Sequence, residues 1–222
     1  MVIAVSLDRS VWRSANWLVM SPHPDDETIG VGSLIAQSAG DDRLAGVIYL
    51  NNGTGSHPEG TPRLGCARRA EARTALYRLT GRHVPTVWLG WQDAQPPSQG
   101  SPEFEAQAMR IGALLRRQRV DAIAVTDVAE SHCDHVAAHW LARAAIRRAR
   151  RLISLFTYSV WSDPDPVASR RIQTRDMAAG RRRHALSAHR SQLSPLFGDG
   201  FRLPREMRSM DRADTLYLRS RL

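Results

Sequence analysis

The chain has 222 residues, 42% hydrophobic and 24% charged, with a formal net charge of +9; this is enough for one sizeable core and excludes disordered and fibrous classes. No apolar run approaches the ~18–20 residues of a membrane span, and Asp8, Arg9 and Arg13 occupy the stretch where a secretory signal would be apolar. Cys66 and Cys133 give no disulfide framework, so the expectation is a soluble, cytoplasmic protein of one domain.

In chain order, 17–20 is a buried-strand candidate and 27–39 a helix. A second strand over 44–50 ends in the turn-rich Asn51-Asn52-Gly53-Thr54-Gly55. The pattern then predicts a helix over 66–79 stopped by Gly81, a strand over 84–89, and a helix over 104–118 with Met109, Ile111, Leu114 and Leu115 on its apolar side. A fourth strand over 122–126, a helix over 134–150 and a fifth strand over 152–160 follow. From Asp163 the chain is rich in Pro and Arg, with one helix over 174–189. Strand–helix alternation of this kind predicts an α/β sandwich on a mainly parallel sheet, whose ligands bind beyond the carboxyl ends of strands.

Two clusters fall at such ends. The first strand runs into Ser21-Pro22-His23-Pro24-Asp25-Asp26-Glu27. Pro24 biases His23 towards an extended conformation at the strand end, and Asp25 and Asp26 open the helix, where the dipole favours ionised carboxylates. A nitrogen donor, an oxygen donor and a spare acid suit a divalent metal; an acidic helix cap explains the same residues taken alone. After the fourth strand, Ser131-His132-Cys133-Asp134-His135 opens another helix. Its two His can place one imidazole on a metal and the other beside a bound substrate. His139 reads as a surface residue, and Cys133 as structural.

All 31 basic residues are Arg, and residues 141–222 hold 18 of them against 7 acids. Coding bias towards Arg and Ala explains this, as does an anionic partner for the C-terminal third. No aromatics interleave with the Arg runs and no zinc-finger or P-loop pattern appears, which argues against nucleic acid.

His23-Pro24-Asp25-Asp26-Glu27 together with His132-x-Asp134-His135 resembles the PIG-L (LmbE-like) family of metal-dependent de-N-acetylases. The loop 52–58, Arg68-x-x-Glu71, the stretch from Leu89 to Asp93, Tyr158-Ser159-Val160-Trp161 and Ala188-His189-Arg190-Ser191-Gln192 resemble further family segments, so the likeness covers most of residues 16–193. It implies His23, Asp26 and His135 as metal ligands and Asp25 as the general base that activates water. It implies His132 as oxyanion stabiliser and acid for the leaving amine, oriented by Asp134, with Arg68 and Asp93 holding the sugar. Two departures stand out: certain members have a Tyr shortly before the second motif, where this chain has Ala129-Glu130-Ser131, and many have an acid where it has Asn51-Asn52.

The combined expectation is a Rossmann-like three-layer α/β sandwich, one deacetylase domain over 1–222 with an Arg-rich segment from about 163. It would bind one zinc per chain, with iron or manganese fitting the same donors, and remove acetyl from an N-acetylglucosamine-type conjugate. Two alternatives stay open: an amidase of a thiol-sugar conjugate, and a non-catalytic protein binding anionic glycans or nucleic acid.

Overall fold

The computed structural model describes residues 4–162, 170–208 and 210–221; part of the stretch expected from Asp163, residues 163–169, lies outside them. The elements are β1 (Val5–Ser6), β2 (Trp17–Ser21), α1 (Asp26–Gly40), β3 (Leu44–Tyr49), α2 (Leu64–Thr80), β4 (Thr86–Trp88), α3 (Pro102–Arg117), β5 (Ala122–Thr126), α4 (Cys133–Ala149), β6 (Ser154–Tyr158), β7 (Arg171–Gln173), α5 (Arg181–Leu186), α6 (Arg190–Leu193) and β8 (Thr215–Arg221). Among the described residues eight strands form one sheet in the order β1-β7-β8-β6-β5-β2-β3-β4. β8 runs antiparallel to both its neighbours, and every other ladder is parallel.

Helices cover both faces, as the continuous apolar runs of β2 and β5 require of strands buried on two sides. Alternate side chains divide between two cores. Trp17 and Val19 join Leu34, Ile35, Leu76 and Leu79 of α1 and α2. Leu18 and Met20 join Phe104, Ile111, Leu141 and Ala145 of α3 and α4. The expected three-layer α/β architecture with a mainly parallel sheet is therefore present. Among the described residues no helix is long and apolar enough to cross a membrane.

α3 shows how local sequence sets an element. Ser101 caps it, its hydroxyl accepting the Phe104 N–H at 3.3 Å, and Pro102 opens it. Glu103 and Glu105 sit in its first turn and Arg116 and Arg117 in its last, as the helix dipole favours. Its buried stripe is Phe104, Ala108, Ile111 and Leu115. Met109, expected on that side, is exposed, because it falls outside the stripe's i, i+4, i+7 spacing.

Three further expectations are corrected. Of the helix expected over 174–189, α5 forms and α6 lies just beyond it, because the Thr174 and Met177 N–H groups donate to the Asp214 and Arg212 carbonyls and Gly180, at φ 78°, fixes the N-terminus of α5. β1, β7 and β8 were not anticipated. His139 is buried in the packing of α4 rather than on the surface, and burial lowers its pKa.

The sequential strands β2, β3 and β4 progress towards one edge, and β5 and β6 lie on the other side of β2. The order therefore reverses between β2 and β5, which is where doubly wound sheets open a crevice. β2 leads into α1 and β5 into α4, so both sequence clusters flank that crevice.

Candidate metal centre

Three side chains from the two junctions converge. Asp26, in the first turn of α1, places its Oδ2 3.1 Å from His23 Nδ1 and 3.3 Å from His135 Nε2. Ligand bonds of about 2.0–2.2 Å in a tetrahedral site separate the ligand atoms by about 3.3–3.5 Å, so each of these two distances is close to a ligand–ligand separation around one small cation. His135 is fully buried, and neither ring nitrogen has an aligned hydrogen-bond partner. An imidazole in that state fits a metal site better than a protein-only network.

The remaining ring nitrogens face carboxylates. His23 Nε2 lies 3.0 Å from Asp134 Oδ2 and 3.3 Å from Asp93 Oδ1, and His135 Nδ1 lies 3.5 Å from Glu130 Oε2. Such outer carboxylates fix the tautomer and orientation of metal-ligating imidazoles. Burial works against charge on the two rings, but these acids and Asp26 prevail: the His23 pKa is raised, and that of His135 is pushed up to about 9. Asp26 is itself buried, yet His135 and His23 hold its carboxyl well below the usual range. The cluster thus demands positive charge, supplied by protons or by a divalent ion in competition with them.

Two groupings among the described residues have ligand-type atoms within 4.8 Å of one another: His23, His132 and His135, and, with acids, His23, Asp93, His132 and Asp134. The acids of the second are already engaged. Asp134 Oδ2 accepts from Asn51 Nδ2 at 2.8 Å and Ala94 N–H at 3.0 Å, and Asp93 Oδ2 accepts the Gly55 N–H at 2.8 Å. Asp26 Oδ2 likewise accepts the His23 N–H at 3.0 Å, but it faces a ring nitrogen of both His23 and His135.

Asp25 caps α1 at φ 135°, a strained value for a residue with a side chain. The conformation is held from both sides: Glu27 Oε2 accepts the Asp25 N–H at 3.0 Å, and Arg68 Nη2 donates to Asp25 Oδ2 at 3.3 Å. Burial pushes the Asp25 carboxyl up to about 6, against the opposing pull of the Arg68 guanidinium.

Arg68, expected to hold substrate, is buried and largely committed to the protein. Nη1 donates to Gly53 O at 2.6 Å and Nη2 to Pro24 O at 2.7 Å. Gly53, at φ 68°, is required here, because a Cβ would collide with that guanidinium. Asp134, expected to orient His132, instead directs its carboxylate at His23. The His132 ring is engaged by the Asp134 N–H, which donates to Nδ1 at 3.2 Å. The reason is geometric: His132 is the N-cap of α4, and its ring folds back over the helix start.

His23, Asp25, Asp26, Arg68, Asp93 and His132 line one cavity of about 470 Å³, with Trp161 and Phe201 also on its wall. His135 lies behind that lining, as a buried ligand would. Sequence reasoning gave no role to Glu27, Glu130, Asn51 or Trp161. Three of these lie at strand ends or inside the motifs, which was the available signal; which way each side chain turns was not readable.

A family model described as GlcNAc-PI de-N-acetylase, PIG-L, matches residues 18–146. No curated protein sequence matches significantly. Among solved structures, the conserved protein TT1542 from Thermus thermophilus is 25% identical with a TM-score of 0.66, over 91% of this chain and 94% of that one. The N,N'-diacetylchitobiose deacetylase from Pyrococcus horikoshii is 18% identical with a TM-score of 0.68, over 95% and 86%. The A40926 pseudoaglycone deacetylase Dbv21 is 18% identical with a TM-score of 0.65, over 92% and 97%. The last two likenesses show a shared fold.

Proposed function

Because the chain belongs to the PIG-L family, we propose that it is a metal-dependent hydrolase that removes the N-acetyl group from an N-acetylglucosamine-type conjugate and releases acetate. The observation that carries this reading is that Asp26 Oδ2 lies close to a ligand–ligand separation from both His23 Nδ1 and His135 Nε2, with a strained, buried Asp25 beside it. The solved structures of similar fold described as a diacetylchitobiose deacetylase and a pseudoaglycone deacetylase support the same reaction class.

One divalent ion, with zinc the first choice for a His₂Asp donor set, would be held by these three residues; when bound it supplies Lewis acidity towards water and the amide carbonyl. Asp25 is the general base. A carboxyl raised to about 6 is ionised near neutral pH yet basic enough to take a proton from the attacking water. Arg68 and Glu27 fix its position. His132 serves the oxyanion: with Nδ1 accepting the Asp134 N–H, a neutral ring carries its proton on Nε2 and donates from there. The proton that Asp25 takes from water then returns to the departing amine nitrogen, so the C–N bond breaks with protons balanced and without a cationic His132. Arg68 acts mainly through Asp25 and the Gly53 loop, and Asp93 forms the wall that sugar hydroxyls would meet.

The test combines metal analysis with an acetate-release screen over N-acetylglucosamine carriers and thiol-conjugated amides. About one ion per chain is expected. His135→Ala should lose metal and activity together, whereas Asp25→Asn should keep the metal and lose about 10²–10⁴ in rate. Acetate release by metal-free protein, or full metal occupancy in His135→Ala, would overturn the reading.

A further inference from the structure

Glu130 lies in the loop between β5 and α4, two residues before His132, in the stretch where certain family members carry a Tyr. Its side chain is fully buried. Oε2 faces His135 Nδ1 at 3.5 Å, a charge contact rather than an aligned hydrogen bond. Oε1 accepts the Val160 N–H at 2.6 Å, and both oxygens lie 3.2 Å from the Trp161 N–H. A carboxylate removed from water is costly unless charge or donors surround it, and here its neighbours are the imidazole of a candidate metal ligand and two backbone amides.

The arrangement has a directional consequence. A carboxylate facing Nδ1 favours the imidazole tautomer with the proton on Nδ1. The lone pair is then on Nε2, the nitrogen 3.3 Å from Asp26 Oδ2. The same carboxylate grips the chain just after β6, where the Trp161 side chain lines the cavity.

We propose that Glu130 is a positioning residue of the metal centre: it fixes His135 in the Nδ1–H form, presenting Nε2 to the ion, and ties the Trp161 wall of the cavity to that ligand. This rests on the metal-centre reading above and goes beyond it, because one buried side chain then links metal affinity to the shape of the substrate cavity. Asp134 stands in the corresponding relation to His23 but grips Asn51 and Ala94 instead, so the two ligands are braced against different walls.

E130Q separates this role from simple loop anchoring. Gln keeps the size and an acceptor oxygen for the Val160 and Trp161 amides, but sets an NH₂ group against Nδ1, which disfavours a proton there. The probe is zinc alone, competed against a chromophoric chelator. E130Q should raise the zinc dissociation constant about 10–100-fold, while amide exchange at Val160 and Trp161 stays as slow as in the unaltered protein. E130D, which keeps the charge, should recover part of the affinity. Unchanged zinc affinity in E130Q overturns the proposal, as does an affinity loss accompanied by exposure of the whole β5–α4 region to exchange. If the unaltered protein and His135→Ala hold zinc equally, the metal-centre reading falls and takes this proposal with it. Tight binding that fails in His135→Ala and survives in E130Q removes Glu130 alone.

Discussion

At the scale of single residues, identity was easier to read than direction. The run from His23 to Glu27 and the pair His132 and His135 were visible as donors at two strand ends, because Pro24 and the helix starts constrain their backbone. Where Asp134 points was not visible, since its direction depends on Asn51 and Ala94, contributed by loops distant in sequence. The difference has a measurable consequence. A carboxylate on His23 Nε2 helps hold a ligand, so Asp134→Asn should weaken zinc retention by about 10–100-fold. Chelator competition checks this; full retention with reduced turnover would return Asp134 to service of His132.

At the scale of elements, the legible strands were those buried on both faces. β2 and β5 are short apolar runs bounded by turn signals, and they stand close to where the sequence puts them. β7 and β8 carry Arg in place of a continuous apolar run, and β1 has two residues, so no sequence window made them conspicuous. What holds β8 in place is partly polar. Asp127, directly after β5, accepts from Thr157 Oγ1 of β6 at 2.5 Å, from Ala129 N–H at 3.0 Å and from Arg219 Nε of β8 at 3.0 Å. Burial pushes its carboxyl up, but these donors prevail and hold it below the ordinary value. Its ionised form therefore adds stability above the unfolded pKa of about 3.9, and that stability is lost as pH falls through the lower folded value. Asp127→Asn should cost about 1.5–3 kcal/mol at neutral pH. Denaturant titration should show the gap narrowing below about pH 4; a gap independent of pH would show that shape, not charge, matters there.

At the scale of the whole molecule, the site exists because the strand order reverses between β2 and β5. Each junction alone resembles an acidic helix start, and their meeting makes the candidate metal centre. The alternation of strands and helices implied that both clusters share one end of the sheet, but adjacency of β2 and β5 is a topological fact that local patterns do not carry. An ion bridging the two junctions binds the folded state only, so free zinc at about one hundred times its dissociation constant should add roughly 2.7 kcal/mol. For a chain of this length that raises Tm by roughly 5–10 °C. A calorimetric scan with and without zinc checks this, and His135→Ala should show no rise. An equal rise in both would place the ion elsewhere.

Among the described residues, the antiparallel β8 separates β6 from β7, and β1 reaches the sheet only through β7. Chains are made from the N-terminus, and early segments begin to fold before later ones exist. Val5 must therefore wait for Ile172, and β7 in turn waits for residues 215–221 before it can join the central strands. The residues of the metal centre all lie between 23 and 135, so they can meet while that flank of the sheet is still open. In the order of birth, β1 precedes the other seven strands of this sheet and is seated after them.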